Sequence, residues 1–207
     1  MQEVLVVGAS RGIGLGLADV HIAHGWKVHA TTRDGSPPRR DVIAHRLDVR
    51  DVGELEDLVV SLPVLDRIIH NAGVLRAARR EMMEVNAVAP IRTVAALVDA
   101  GRIRRGGTIS IMTSQLGARR GRTGSLGDYG DSKAALNDEF RKQAPVWAET
   151  GAISVVIHPG WVSTDMGGSH APVSVEESSV GILELMDGLT PSDNGSFLTW
   201  DGRVHPW

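Results

Sequence analysis

The sequence predicts an α/β fold, a doubly wound and mostly parallel sheet of about seven strands with helices on both faces. Three observations carry this. Short apolar runs alternate with helix-like stretches along all 207 residues. Those runs are near-continuous rather than alternating with polar residues, as strands covered on both faces must be. The length suits one domain, residues 1–207, because cores beyond ~250–300 residues tend to split.

The elements follow in order. Val4–Val7 reads as a buried strand, then a glycine-rich turn and a helix over Ile13–His24. Lys27–Thr32 and Ile43–Leu47 are strands, and Val52–Ser61 is a helix. Arg67–His70 is a strand before a long helix, Met82–Ala100. Thr108–Thr113 is a strand before a second long helix, Asp131–Glu149. Ile153–Ile157, the helix Val175–Leu189 and the strand Ser196–Trp200 complete the pattern. Crossovers in such a sheet are right-handed, and ligands bind at the carboxyl ends of its strands.

Composition excludes several functions. With no Cys, there is no disulfide scaffold, thiolate zinc site or cysteine catalysis. The net charge of -3 gives no reason to expect nucleic acid or an anionic membrane. No uncharged apolar run reaches the ~18–20 residues of a membrane span. Met1–Leu5 has no basic segment or cleavage site, so a cytoplasmic enzyme is the default expectation. None of the eight His residues forms a ligand pattern, so no metal site is expected.

Two motifs carry chemistry. Gly8-Ala9-Ser10-Arg11-Gly12-Ile13-Gly14 follows a strand and opens a helix. Gly8 suits a tight turn. Gly12 and Gly14 let backbone approach a pyrophosphate, which the helix N-terminus stabilises. The alternative is a glycine-rich turn that binds nothing; the placement after an apolar strand favours a nucleotide. The second motif is Tyr129-Gly130-Asp131-Ser132-Lys133, which holds the only tyrosine of the chain. Residues i and i+4 share a helix face. An ammonium beside a phenol favours the phenolate and lowers a pKa of about 10, which suits proton exchange with a carbonyl oxygen. Taken alone, a Tyr-xxx-Lys match reads as a surface pair.

Together these motifs, with Asn71-Ala72-Gly73, Asn86, Ser114 and Pro159-Gly160-Trp161-Val162-Ser163-Thr164, resemble the short-chain dehydrogenase/reductase family over essentially the whole length. The resemblance implies a Rossmann-like fold and an oxidoreductase that passes hydride between a nicotinamide and a carbonyl or alcohol. It implies that Tyr129 is the general acid/base and that Ser114 polarises the substrate oxygen. Lys133 would hold the nicotinamide ribose and depress the Tyr129 pKa, and Asn86 would position a water linking Lys133 to solvent. Asn71, Ala72 and Gly73 steady the sheet beside the cofactor, Asp48 meets the adenine amino group next to Val49, and Val162 and Thr164 fix the carboxamide. Family members dimerise or tetramerise through the two long helices. Gly195–Trp207, with its Pro206-Trp207, resembles the end of the C-factor and sniffer-type carbonyl reductase branch, which includes a signalling protein. An NADP(H)-binding sensor with little turnover is therefore the alternative, and an isomerase or dehydratase on the same scaffold is a third.

Cofactor choice rests on Thr31-Thr32-Arg33, where NAD enzymes usually place an acid. Arg33 and Arg11 suit a 2′-phosphate, so NADPH/NADP is expected over NAD. Asp34 would repel that phosphate if it turned inward. Val7 stands where the family has Thr, losing a hydroxyl, and His70 stands where Asn is common. The loop between Thr164 and Val175 is short, implying an open site. Trp161 reads equally as pocket wall or packing. Arg119, Arg120 and Arg122 read as a solvated loop rather than an anion site.

Overall fold

In the computed structural model, which describes residues 1–120 and 127–207, strand β1 (Glu3–Val7) alternates between two cores. Leu5 and Val7 join one core and Val4 and Val6 the other. The first core takes Leu55 and Leu58 from α2 (Val52–Ser61), Leu97 from α4 (Ala89–Asp99), and Leu136 and Phe140 from α5 (Gly127–Ala148). The second takes Leu17 and Ala18 from α1 (Gly12–Ala23), and Ile182 and Met186 from α6 (Val175–Asp187). An apolar residue on every side of the strand therefore requires helices on both faces. Each fully buried large side chain contributes about 1.5–3 kcal/mol.

The other strands are β2 (Lys27–Thr32), β3 (Val42–Arg46), β4 (Leu65–His70), β5 (Ile103–Met112), β6 (Ile153–His158) and β7 (Ser196–Thr199). All seven form one parallel sheet in the order β3-β2-β1-β4-β5-β6-β7. The order reverses between β1 and β4, where loops leave in opposite directions and open a crevice at the carboxyl ends. Among the described residues, no helix is long and apolar enough to cross a membrane.

Three elements differ from expectation, the simplest being α5, which begins at Gly127 rather than Asp131 and so takes Tyr129 inside the helix. β5 begins at Ile103 rather than Thr108, because Ile103 pairs with Leu65 across a register shift before Thr108 pairs with Arg67. The long helix expected over Met82–Ala100 is three pieces: α3 (Arg79–Met83), a π-helical turn over Glu84–Val88, and α4. Pro90 lacks the N–H that a continuous α-helix would give the Asn86 carbonyl, so the ladder is interrupted there. Asn86 sits inside that interruption.

Candidate active site

Gly8 ends β1 with φ +82°, and a Cβ there would lie 2.8 Å from the Cα of Ala72. Only glycine fits that close approach. The turn is tied on both sides. Gly8 N–H donates to Thr31 Oγ1 at 3.0 Å and Ala9 N–H to the Thr31 carbonyl at 3.0 Å. Thr31 thus supplies a hydroxyl to this turn, next to the Val7 that has none. Asn71 and Ala72 N–H both donate to the Val7 carbonyl, and Asn71 Nδ2 donates to the Gly8 carbonyl at 2.9 Å.

Helix α1 then starts with no side-chain cap on Arg11 and no acid in its first turn. α2 is capped by Asp51 and α6 by a Ser174–Glu177 capping box. The uncapped N–H groups of α1 face the cleft and favour an anion. Gly14 has another reason to be glycine. Its Cβ would sit 2.1 Å from the Gly8 carbonyl oxygen and 2.6 Å from Asn71 Nδ2, so it serves helix-on-strand packing.

The cleft encloses about 540 Å³ at the carboxyl ends of the strands. Gly8, Ser10, Arg11, Gly12 and Ile13 form one wall, with Arg33, Asp48 and Val49 beyond them. Asn71, Ala72 and Gly73 form the floor, and Tyr129, Lys133, Pro159 and Thr164 the far side. Gly14, Asn86, Ser114, Gly160 and Val162 are not among the lining residues.

At the β2 end, Arg33 and Arg11 both line the cleft. Arg11 reaches across it to Asp165 at 2.6 Å, an exposed pair that adds little stability. Asp34 points away, accepting from Ser36 N–H at 3.0 Å, so it does not oppose an anion beside Arg33. Asp48 is held by the Arg50 fork at 3.0 and 2.6 Å. That fork pulls its pKa down to about 2.

At the other end, Asn86 Nδ2 donates to the Val74 carbonyl at 2.7 Å, and Asn86 Oδ1 accepts from Val74 N–H at 2.8 Å. Asn86 Nδ2 also donates to Ser132 Oγ at 3.0 Å, and Ser132 Oγ donates to the Tyr129 carbonyl at 2.7 Å. The Asn86 side chain therefore locks the loop after β4 to the first turn of α5. Arg79 reinforces this by pairing with Asp128 and Asp131. Ser114 is buried two residues past β5, and its side chain stands beside the Tyr129 hydroxyl, where it favours the phenolate. Lys133 Nζ donates to the Met112 carbonyl at 2.8 Å and lies 6.0 Å from the Tyr129 ring centroid.

The electrostatics correct one expectation. Burial raises the Tyr129 pKa to about 12, and the Ser114 hydrogen bond only partly opposes this. Lys133 does not depress it here, because Lys133 gives up its own proton at a lower pH and is neutral before the phenol titrates. Burial lowers Lys133 itself to about 8. Beneath them, burial and then the Lys133 charge bring His70 down to about 3, so that imidazole is neutral.

Trp161 is 55% exposed, and its indole N–H donates to the Gly167 carbonyl at 2.8 Å. It braces the short loop after Thr164, whose Asp165 and Met166 line the cleft. Arg119 turns to Asp138 on α5, away from the cleft. Arg122 lies outside the described residues. Sequence reasoning missed Ser132 and Asp165; Ser132 adjoins Lys133, but only the fold brings it to Asn86. Among the described residues, no group of three His, Asp or Glu is placed to hold a metal.

The profile described as short chain dehydrogenase matches residues 2–172. The chain is 34% identical over 157 residues to the C-signal of Myxococcus xanthus, spanning 69% of this chain and 93% of that protein. A carbonyl reductase of Pseudomonas aeruginosa PAO1 solved in complex with NADP is 34% identical with a TM-score of 0.87. The carbonyl reductase Sniffer of D. melanogaster is 26% identical with a TM-score of 0.89. Both structural comparisons cover 100% of each chain.

Proposed function

The chain belongs to the short-chain dehydrogenase/reductase family of oxidoreductases, and from that premise we propose that it is an NADP(H)-dependent carbonyl reductase or alcohol dehydrogenase with Tyr129 as its general acid/base. The observation that carries the reading is Tyr129 at the cleft with Ser114 beside it and a buried, carbonyl-held Lys133 6.0 Å from its ring.

The cleft fits a dinucleotide. The uncapped N-terminus of α1 and the close approach at Gly8 suit a pyrophosphate, and Arg33 and Arg11 suit a 2′-phosphate. When bound, the nicotinamide supplies or takes the hydride. Asp48 stays ionised and takes the adenine amino group, with Val49 beside it. Thr164 Oγ1, fixed by Gly167 N–H at 3.1 Å, steadies the carboxamide end with Val162.

In reduction, Ser114 Oγ and the Tyr129 hydroxyl converge on the substrate oxygen. Ser114 polarises it, and Tyr129 hands it a proton. With its pKa held high by burial, Tyr129 enters the reaction protonated across the neutral range. Lys133, charged below about pH 8, offsets the phenolate left behind and returns a proton through the polar groups around Asn86. Oxidation runs the same path backwards.

Tyr129→Phe should keep NADPH binding and lose turnover by roughly 10²–10⁴-fold. Near-normal reduction of an established carbonyl substrate by that variant would sink the assignment. One observation favours a second reading: the 34% identical relative carries the name of a signal. A broad carbonyl panel followed by NADPH absorbance separates them, because a sensor would bind the nucleotide and turn nothing over. Assembly through α4 and α5 belongs to the same proposal, and sedimentation at micromolar concentration tests it.

A further inference from the structure

The stretch Gly195–Trp207 carries part of the sequence resemblance, yet it lines no part of the cleft. The chain turns back after β7. Val204 bridges antiparallel to Leu198, and His205 N–H donates to the Phe197 carbonyl at 2.8 Å. The Trp207 ring then settles against α5 and β7, with centroids 6.3 Å from Phe140 and 5.4 Å from Phe197. The Arg141 guanidinium lies 5.3 Å from the same ring. Phe140 and Phe197 are both core residues, so the indole has a fixed seat. From that seat the Trp207 backbone oxygen accepts the Arg120 N–H at 2.9 Å.

Arg120 belongs to the segment that runs from Ser114 toward Tyr129. That segment is gripped at three successive places. A Cβ on Gly117 would sit 2.6 Å from the Lys133 carbonyl carbon, so this turn lies hard against α5. Arg119 pairs with Asp138 of α5. Arg120 is held by Trp207. The first two grips come from the helix that carries Tyr129 and Lys133. The third comes from Trp207, a part of the chain distant in sequence that only tertiary packing brings to Arg120.

We infer that Trp207 is a positioning residue for the acid pair: by holding Arg120 it keeps the Ser114–Arg120 segment in place, and with it the alignment of Ser114 on Tyr129. The inference deepens the reading of the preceding subsection and rests on it for the word acid. Trp207 reaches the chemistry only through Arg120. A displacement of about 1 Å at a reacting pair is enough to cost on the order of 10²-fold in rate.

Tyr129 is the only tyrosine, so ring-¹³C-labelled protein gives one tyrosine signal that reports on this pair without any turnover. Trp207→Ala should move that signal, lower kcat on a carbonyl substrate at least tenfold and leave NADPH affinity within about twofold, because the residues proposed to hold its phosphates and adenine, Gly8, Gly12, Arg33 and Asp48, lie on the opposite wall of the cleft. Trp207→Phe keeps an aromatic ring on Phe140 and should restore both readouts. Arg120→Pro removes the donated N–H along with the Arg120 side chain, leaves the aromatic seat intact, and should reproduce the Trp207→Ala pattern, whereas Arg120→Ala keeps the N–H and should leave both readouts unchanged; the pair decides the matter if Trp207→Ala does not fold. An unmoved Tyr129 signal in folded Trp207→Ala or Arg120→Pro protein overturns the inference, as does a matched loss of kcat and NADPH affinity. A wild-type protein that reduces no carbonyl would instead overturn the activity and leave the tyrosine readout intact, so the two failures are distinguishable.

Discussion

Arg67 and Lys133 are buried alike, at 3% and 4% exposure, near opposite ends of the same sheet. Arg67 enters at the amino end of β4 and is surrounded by partners. It donates to Asp187 at 2.6 Å, to Thr108 Oγ1 at 3.2 Å and meets His21 Nε2 at 3.0 Å, with the Trp26 ring 4.4 Å away. Burial and then the Arg67 charge hold His21 at about 4, so it faces the guanidinium as a neutral ring. Lys133 sits at the carboxyl end with one carbonyl and, among the described residues, no carboxylate partner. A buried cation without a counter-ion is destabilising. Arg67 joins β4, α1 and α6, whereas Lys133 is left with charge to offer. Uncompensated burial at Lys133 supports the site proposed at that end of the sheet, and compensated burial at Arg67 ties elements together at the other.

The sharpest way to break this contrast is Lys133→Met. Turnover should fall by roughly 10²–10⁴-fold, the range of a lost acid–base partner. The melting temperature should rise, because an unpaired buried charge is removed. A lower melting temperature would show that Lys133 is a structural cation like Arg67. Asp187→Asn probes the other end. It should destabilise by about 1–3 kcal/mol in urea melts, less than a fully buried pair because Asp187 is 53% exposed, and leave kcat unchanged.

The contrast also has a pH signature. Lys133 titrates near 8 folded and 10.5 unfolded, so between those values the unfolded chain holds more protons. Stability therefore rises with pH across that window, by about 2 kcal/mol from pH 7.5 to 9.5. Lys133→Met should lack that rise when both proteins are melted in urea at the two pH values. A third cation, Arg33, lines the cleft from an exposed position. Arg33→Ala should weaken NADPH binding roughly tenfold, about 1.4 kcal/mol, and leave NADH unchanged in a calorimetric titration. Equal weakening of both would remove the 2′-phosphate from its account.

The strands were legible because each is buried on both faces and so reads as an apolar run. The glycine turn was legible because Gly8 needs both a positive φ and room beside Ala72. The break at Asn86 was not, although Pro90 stands four residues later, since helical periodicity continues through a π-turn. The Asn86–Val74 and Asn86–Ser132 bonds were equally hidden, because they join segments whose distance depends on how α3 and α5 pack. The short β5 expectation failed for a related reason: Gly106 and Gly107 break the apolar run, and the register shift that carries pairing back to Ile103 is a property of two strands together.

The sequence by itself determined the alternation of buried strands and helices, the glycine turn, and the four-residue spacing that puts Tyr129 and Lys133 on one helix face. Each follows from local geometry and from the side chains a buried strand or tight turn admits. Only the tertiary structure decided which buried cation has a counter-ion, that Lys133 turns to Met112 rather than to the phenol, and that Trp207 clasps Arg120. Those depend on desolvation and on contacts between distant segments, and neither exists until the chain has packed.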